Sequence, residues 1–249
     1  MTSKPNKNGT PCLTFLAKKG QLTKAKGCSN FGPKKKALPH LCPEDQAHAL
    51  LQFKHMFTFN PNASDICGFP SPKTLSWNKS TDCCSWDGVH CEEMTGQVIE
   101  LDLLCSGFQG KFHPNNSLFQ LSNLKWLDLS YNNFYGSLIS PKFGELSSLT
   151  HLDLSHSSFI GLIPAEISHL SKLYVLRIRS DDPYWLRVGP YNFELLLKNL
   201  TQLRELDLDS VNISSTIPLN FSSYLTTLPS QKEFSNFPTW NTFLYLTIR

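Results

Sequence analysis

Between Val98 and Pro218 the apolar positions recur on two superimposed periods. Val98, Leu124, Leu149, Leu173 and Leu203 lead successive units, at intervals of 26, 25, 24 and 30 residues. Within the units, Leu127 and Leu129 match Leu152 and Leu154, then Leu176 and Ile178, then Leu206 and Leu208. That apolar–polar–apolar core is the period of a short strand buried on one face. Phe108, Phe134, Phe159 and Ile213 follow ten residues after their leads, and Gly110, Gly136 and Gly161 mark where the chain turns away. Leu121, Leu146, Leu170 and Leu200, three residues before the next leads, bring it back. One such unit cannot bury its apolar side alone, whereas stacked units share a core. The pattern therefore predicts a curved solenoid with a ladder of parallel strands along its concave side.

The flanks have a different character. Residues 1–36 lack periodicity and read as a basic disordered leader, with the boundary at residue 37. They contain no apolar run of the length a secretory signal needs, and the Pro33-Lys34-Lys35-Lys36 patch is too short to mean nuclear import. From Leu41 a helix is predicted: Pro43 suits a helix start and Glu44-Asp45 a first turn. Ala47, Leu50, Leu51 and Phe57 would line its buried face, with Lys54 the exception. After Arg179 the longest interval carries about six extra residues, so residues 181–192 are expected to loop out, with Trp185 either covering the solenoid edge or touching a ligand. Leu225 to Leu228 begins a further unit that is not completed, and residues 223–249 are expected to leave the last apolar edge open.

Charge excludes one class of partner. The net charge is +3, yet residues 1–36 contain nine lysines and no acid, which leaves −6 for the rest. A mildly acidic body is no nucleic-acid footprint. No apolar run approaches the roughly 18 residues that span a bilayer. Catalytic signatures such as GxSxG, HExxH or a phosphate-cradling glycine loop are also missing, so no enzyme and no cofactor is predicted.

The repeats resemble the plant extracellular leucine-rich repeat, LxxLxxLxLSxNxFxGxIP, with Ile163-Pro164 and Ile217-Pro218 supplying its ending. The implied fold class is α/β: a right-handed leucine-rich repeat solenoid with a parallel concave sheet, at residues 98–222, behind a disulfide-stapled helical cap at residues 38–97. In the asparagine slot stand Ser106, Asn132, Ser157, Asp181 and Val211, so the ladder of turn hydrogen bonds should be imperfect. Cys42 and the run from Asp82 to Cys91, with Cys83, Cys84, Trp86, Gly88, Val89 and Cys91, are similar to the cap of that family. Adjacent cysteines cannot readily bridge each other. The resemblance implies Cys42–Cys83 and Cys84–Cys91, and a third bridge between the remaining Cys67 and Cys105 is expected. Zinc on Cys83, Cys84, His90 and Cys91 would need a different ligand spacing. Cys12 and Cys28 have no assigned partner. Seven glycosylation sequons, at Asn8, Asn62, Asn78, Asn115, Asn199, Asn212 and Asn220, together with paired cysteines favour the secretory pathway.

Segments such as LPHLCPEDQAHALLQFK and NFELLLKNLTQLRELDLDSVNISSTIP are similar to the tomato leaf-mould resistance receptor-like proteins. That resemblance implies a plasma-membrane receptor without a kinase, which binds secreted pathogen proteins and signals through a co-receptor kinase. This chain, without a recognisable leader or span, would then be a truncated member, secreted or mislocalised. The alternative is a secreted inhibitor of fungal cell-wall hydrolases, which shares the cap and the repeat type. In either case the ligand is a protein and the site lies on the outward-facing columns of the concave strands. The central column reads Asp102, Asp128, Asp153, Arg177, Asp207, and aspartate there is ordinary for the family. Its neighbours read Glu100, Trp126, His151, Val175, Glu205 and Leu104, Ser130, Ser155, Arg179, Asp209. Trp126, His151, Arg177, Arg179 and Glu205 are the candidate ligand contacts, since aromatics and arginine dominate protein-binding hot spots.

Overall fold

The computed structural model describes residues 41–64, 66–68, 72–213 and the strand Leu244–Thr247. The expectations for the basic leader, Cys12, Cys28, Asn8 and Asn220 lie outside them.

The leucine periodicity becomes a continuous ladder. Val98–Asp102, Trp126–Asp128, His151–Asp153, Val175–Arg177 and Glu205–Leu208 run parallel in one sheet. Leu101, Leu127, Leu152, Leu176 and Leu206 are register partners across it, all with no exposed surface. Each buried leucine contributes about 2 kcal/mol relative to exposure. Short 3₁₀ turns at Ser117–Gln120, Pro141–Glu145 and Ala165–His169 carry the chain back along the other side. A second parallel sheet joins Ser137–Leu138, Phe159–Leu162, Leu186–Val188 and Asn212–Ile213. Between the layers runs a file of rings, in which Phe134 lies 5.1 Å from Phe57 and 5.3 Å from Phe159.

The cap closes the first unit. Helix α1 (Glu44–His55) buries Gln46, Ala49, Leu50, Leu51 and Phe53, a broader face than the predicted one: Leu50 and Leu51 are buried as expected, while Ala47 and, beyond the helix end, Phe57 are half-buried against the core. The reason is tertiary, because Phe53 must meet Phe108 (5.6 Å) and Gln46 Oε1 must accept the Val98 N–H (2.8 Å). Lys54 is accounted for, since its Nζ donates to the Trp77 carbonyl. The strand Val89–Cys91 pairs antiparallel with Val98–Asp102 and covers the free edge of the sheet. Disulfides join Cys42–Cys83, Cys84–Cys91 and Cys67–Cys105. They also occupy the sulfurs of the metal-like group Cys42, Asp82, Cys83 and Cys84.

Two expectations are corrected. The long interval does not loop out over residues 181–192. Leu186–Val188 stays in the outer sheet, and Pro190–Asn199 forms helix α2, ten residues long where the preceding unit has a five-residue turn. Five of the extra residues therefore lengthen the return segment. α2 is held by Pro190 in its first turn and by buried Phe193 and Leu196, three positions apart. The edge of the last strand is not open either: Leu244–Thr247 pairs antiparallel with Glu205–Leu208.

Candidate ligand-recognition surface

The sequence columns are true spatial rows. Glu100, Trp126, His151, Val175 and Glu205 are successive register partners, as are Asp102, Asp128, Asp153, Arg177 and Asp207. Trp126 and His151 come together as a stacked pair, ring centroids 4.2 Å apart and planes 23° from parallel. Burial, and after it the Arg177 charge, pushes the His151 imidazole below its ordinary range. Beside the column, Tyr174 stands edge-on to His151 at 6.4 Å, and Arg204 sits 5.0 Å over the Tyr174 ring.

The two arginines are not free contacts. Arg177 donates through Nε and Nη2 to the two oxygens of Glu205 (2.5 and 3.0 Å), with Asp153 at 3.5 Å. Arg179 donates to Asp209 (2.8 Å) and lies 3.5 Å from Asp207. Glu205 is therefore an anchor for Arg177 before it is anything else, and its hydrogen bond is the main reason the guanidinium pKa is raised. Lys73 from the cap holds Asp102 at 2.6 Å, and His90 stands 3.7 Å from Glu100. Asp128 differs. It accepts only from Ser130, through the N–H (2.8 Å) and Oγ (2.6 Å). Burial, outweighing those hydrogen bonds, raises its pKa, and neighbouring Asp153 and Asp102 add to the rise. Asp128, Asp153, Ser130, Tyr131 and Leu104 border a concavity of about 380 Å³ whose far side is formed by the two arginines.

Sequence columns missed a second row. Tyr131 stacks on His156 (4.8 Å), and His156 Nδ1 lies 2.6 Å from an Asp181 oxygen. Tyr131, His156, Cys105 and Ser210 all have φ between 52° and 58°, at the same place in four units. The left-handed turn recurs with the repeat in these four units. Periodicity of the LxL core stops short of this turn, so it carried no signal. The asparagine slot is imperfect, as expected. Asn132 donates to the Leu103, Leu129 and Ser130 carbonyls and accepts the Phe108 N–H, Ser157 reaches two carbonyls, and the buried Ser106 hydroxyl has no partner. Of the sequon asparagines, Asn62, Asn78, Asn115 and Asn212 are exposed, while Asn199 is half-buried and donates to Ser168.

A parallel leucine ladder, a cystine-stapled cap and an outer second sheet define a plant-type leucine-rich repeat ectodomain. The leucine rich repeat N-terminal domain family matches residues 43–92, and the leucine rich repeat family matches 123–146 and 148–170. Receptor-like protein Cf-9 of Solanum pimpinellifolium is 76% identical over 200 residues, covering 77% of this chain and 23% of the relative. Receptor-like protein 6 of Arabidopsis thaliana is 44% identical over 200 residues, covering 76% and 20%. The chain belongs to the plant leucine-rich repeat receptor-like proteins of the Cf type, and it spans between a fifth and a quarter of the length of those relatives. Among solved structures, the ectodomain of the Arabidopsis receptor kinase HAESA in complex with an IDA peptide hormone ligand superposes with a TM-score of 0.51 at 26% identity, covering 73% of this chain and 31% of that one. The GASSHO1/SCHENGEN3 ectodomain, in complex with CASPARIAN STRIP INTEGRITY FACTOR 2, superposes with a TM-score of 0.51 at 30% identity, covering 72% and 19%.

Proposed function

We propose that this chain forms the cap and first repeats of a cell-surface immune receptor ectodomain, whose concave face recognises a pathogen-derived protein and whose response passes through a co-receptor kinase. The kinship with Cf-9 supports the receptor reading, and the HAESA ectodomain, which holds a peptide hormone ligand, supports recognition of polypeptide. One observation carries the site: Trp126, His151 and Tyr174, each partly exposed, form an aromatic row across adjacent units. Large aromatics held rigidly by their neighbours are the residues that anchor protein interfaces.

The test is a chimera in which residues 41–213 replace the corresponding part of Cf-9, scored in leaves for the response of the parent receptor. A response that survives the exchange and is lost with Trp126→Ala and His151→Ala together, at equal surface expression, supports the reading. A response indifferent to both substitutions removes this face from recognition.

A further inference from the structure

We infer that the concave face at the second and third repeats is a docking surface for an extended polypeptide segment bearing a basic side chain, with the cation seated on Asp128 and its stem laid along the Trp126–His151 pair. This rests on the recognition reading above and names the chemistry of what is recognised.

Charge balance is the first observation. The three outward columns hold seven carboxylates, Glu100, Asp102, Asp128, Asp153, Glu205, Asp207 and Asp209, against the guanidiniums of Arg177 and Arg179. Each arginine is consumed internally by two of those acids, and Lys73 is consumed by Asp102. Among the described residues Asp128 has no cationic partner and Glu100 has only the His90 imidazole at 3.7 Å; of the two, Asp128 borders the 380 Å³ concavity. A carboxylate held there by serine alone, between two like charges, gains from an incoming ammonium or guanidinium what it lacks at rest.

Geometry supplies the second. Trp126 and Asp128 lie two residues apart on one strand, and His151 and Asp153 occupy the same places on the next, so all four share the concave face. Two residues of strand span about 6.6 Å. That matches the reach of a lysine or arginine stem, which packs its methylenes on an aromatic surface while its head seeks a carboxylate. An acidic ligand side chain would meet uncompensated like charge at the same place. The raised pKa of Asp128 adds a consequence: protonation in mild acid removes the counter-charge, so binding weakens as pH falls through a value above the ordinary aspartate range.

The probe is a display library of cysteine-free random decapeptides, panned on the immobilised full chain made through a secretory host. Enrichment of lysine or arginine next to an apolar residue is expected. Selected peptides should bind Asp128→Asn and Trp126→Ala at least about tenfold more weakly, recover with Asp128→Glu, and lose affinity as salt is raised. In Asp128→Asn the amide oxygen can still accept from Ser130, and circular dichroism checks that each variant is folded. Absence of enrichment, enrichment without cationic bias, or binding unchanged by Asp128→Asn overturns the inference. If the Cf-9 chimera still depends on Trp126 and His151 in that case, recognition by this face stands and only the cationic class falls.

Discussion

The indole of Trp126 lies against the imidazole of His151 with ring centroids 4.2 Å apart. Burial and the Arg177 charge hold that imidazole neutral to lower pH than the ordinary value of 6.5. The tryptophan emission difference between the wild type and His151→Gln should therefore titrate with a midpoint below 6.5, and a midpoint at or above it would contradict the geometry. The stability effect has a definite sign. Because the folded pKa lies below the unfolded one, the unfolded chain takes up the proton first. Wild type should lose stability relative to His151→Gln as pH falls through 6.5, with no pH-dependent difference well above it.

Asp128 should trade stability for readiness to bind. Its folded pKa is raised above 3.8, mainly by burial, so the native state is penalised as pH rises through the folded value. Asp128→Asn should melt at higher temperature than wild type at neutral pH, and the curves should converge in acid below 3.8. Equal melting temperatures at neutral pH would show that the carboxylate is adequately solvated.

Asn132 is the polar residue on which the turns of two units depend. Asn132→Ala strands the buried Phe108 N–H and takes one of two donors from each of the Leu103, Leu129 and Ser130 carbonyls, which keep Ser106 N–H, Ser157 Oγ and Cys105 N–H. The cost should be on the order of 2–4 kcal/mol by urea unfolding. Ser157→Ala abandons two carbonyl contacts and should cost less. A reversed order would mean that water reaches the Asn132 site.

Gly144 marks the closest approach of two return segments. A Cβ there would overlap the Glu166 carbonyl oxygen, a backbone atom that cannot swing aside. Gly144→Ala should destabilise by about 1–3 kcal/mol. Gly68→Ala, which meets nothing within 4 Å, should stay within about 0.5 kcal/mol of wild type.

The cap bridges should differ by loop length. Cys42 and Cys83 are separated by 41 residues and Cys84 and Cys91 by 7. In the chain-entropy view, replacing the first pair by serine costs about 4 kcal/mol and the second about 2 kcal/mol. Non-reducing peptide mapping should recover Cys84 linked to Cys91, and free thiols at both would refute the pairing.

What was legible in the residues follows from translational symmetry. Each unit must present its leucines to the next, so Leu127, Leu152, Leu176 and Leu206 had to fall in register, and the outward residues between them had to form rows. The concave candidates could be named because a strand alternates its faces. The same logic is silent where symmetry breaks or where side chains choose among neighbours. Nothing local told Arg177 to prefer Glu205, since an arginine among several acids settles by geometry. Nor did the LxL pattern reach the left-handed turn that lifts Tyr131 onto His156. The long interval was countable, but whether its residues looped or lengthened a helix depended on burying Phe193 and Leu196 against the preceding unit. Likewise, Leu244–Thr247 found the edge of Glu205–Leu208 across a long stretch of chain. Sequence alone determined the repeat, its apolar spine and its outward columns, because those are set by neighbours one period apart. Tertiary structure decided which charges are satisfied and that Asp128, at the concavity, is left without a cation among the described residues, because electrostatic partnership depends on distances that no periodicity encodes.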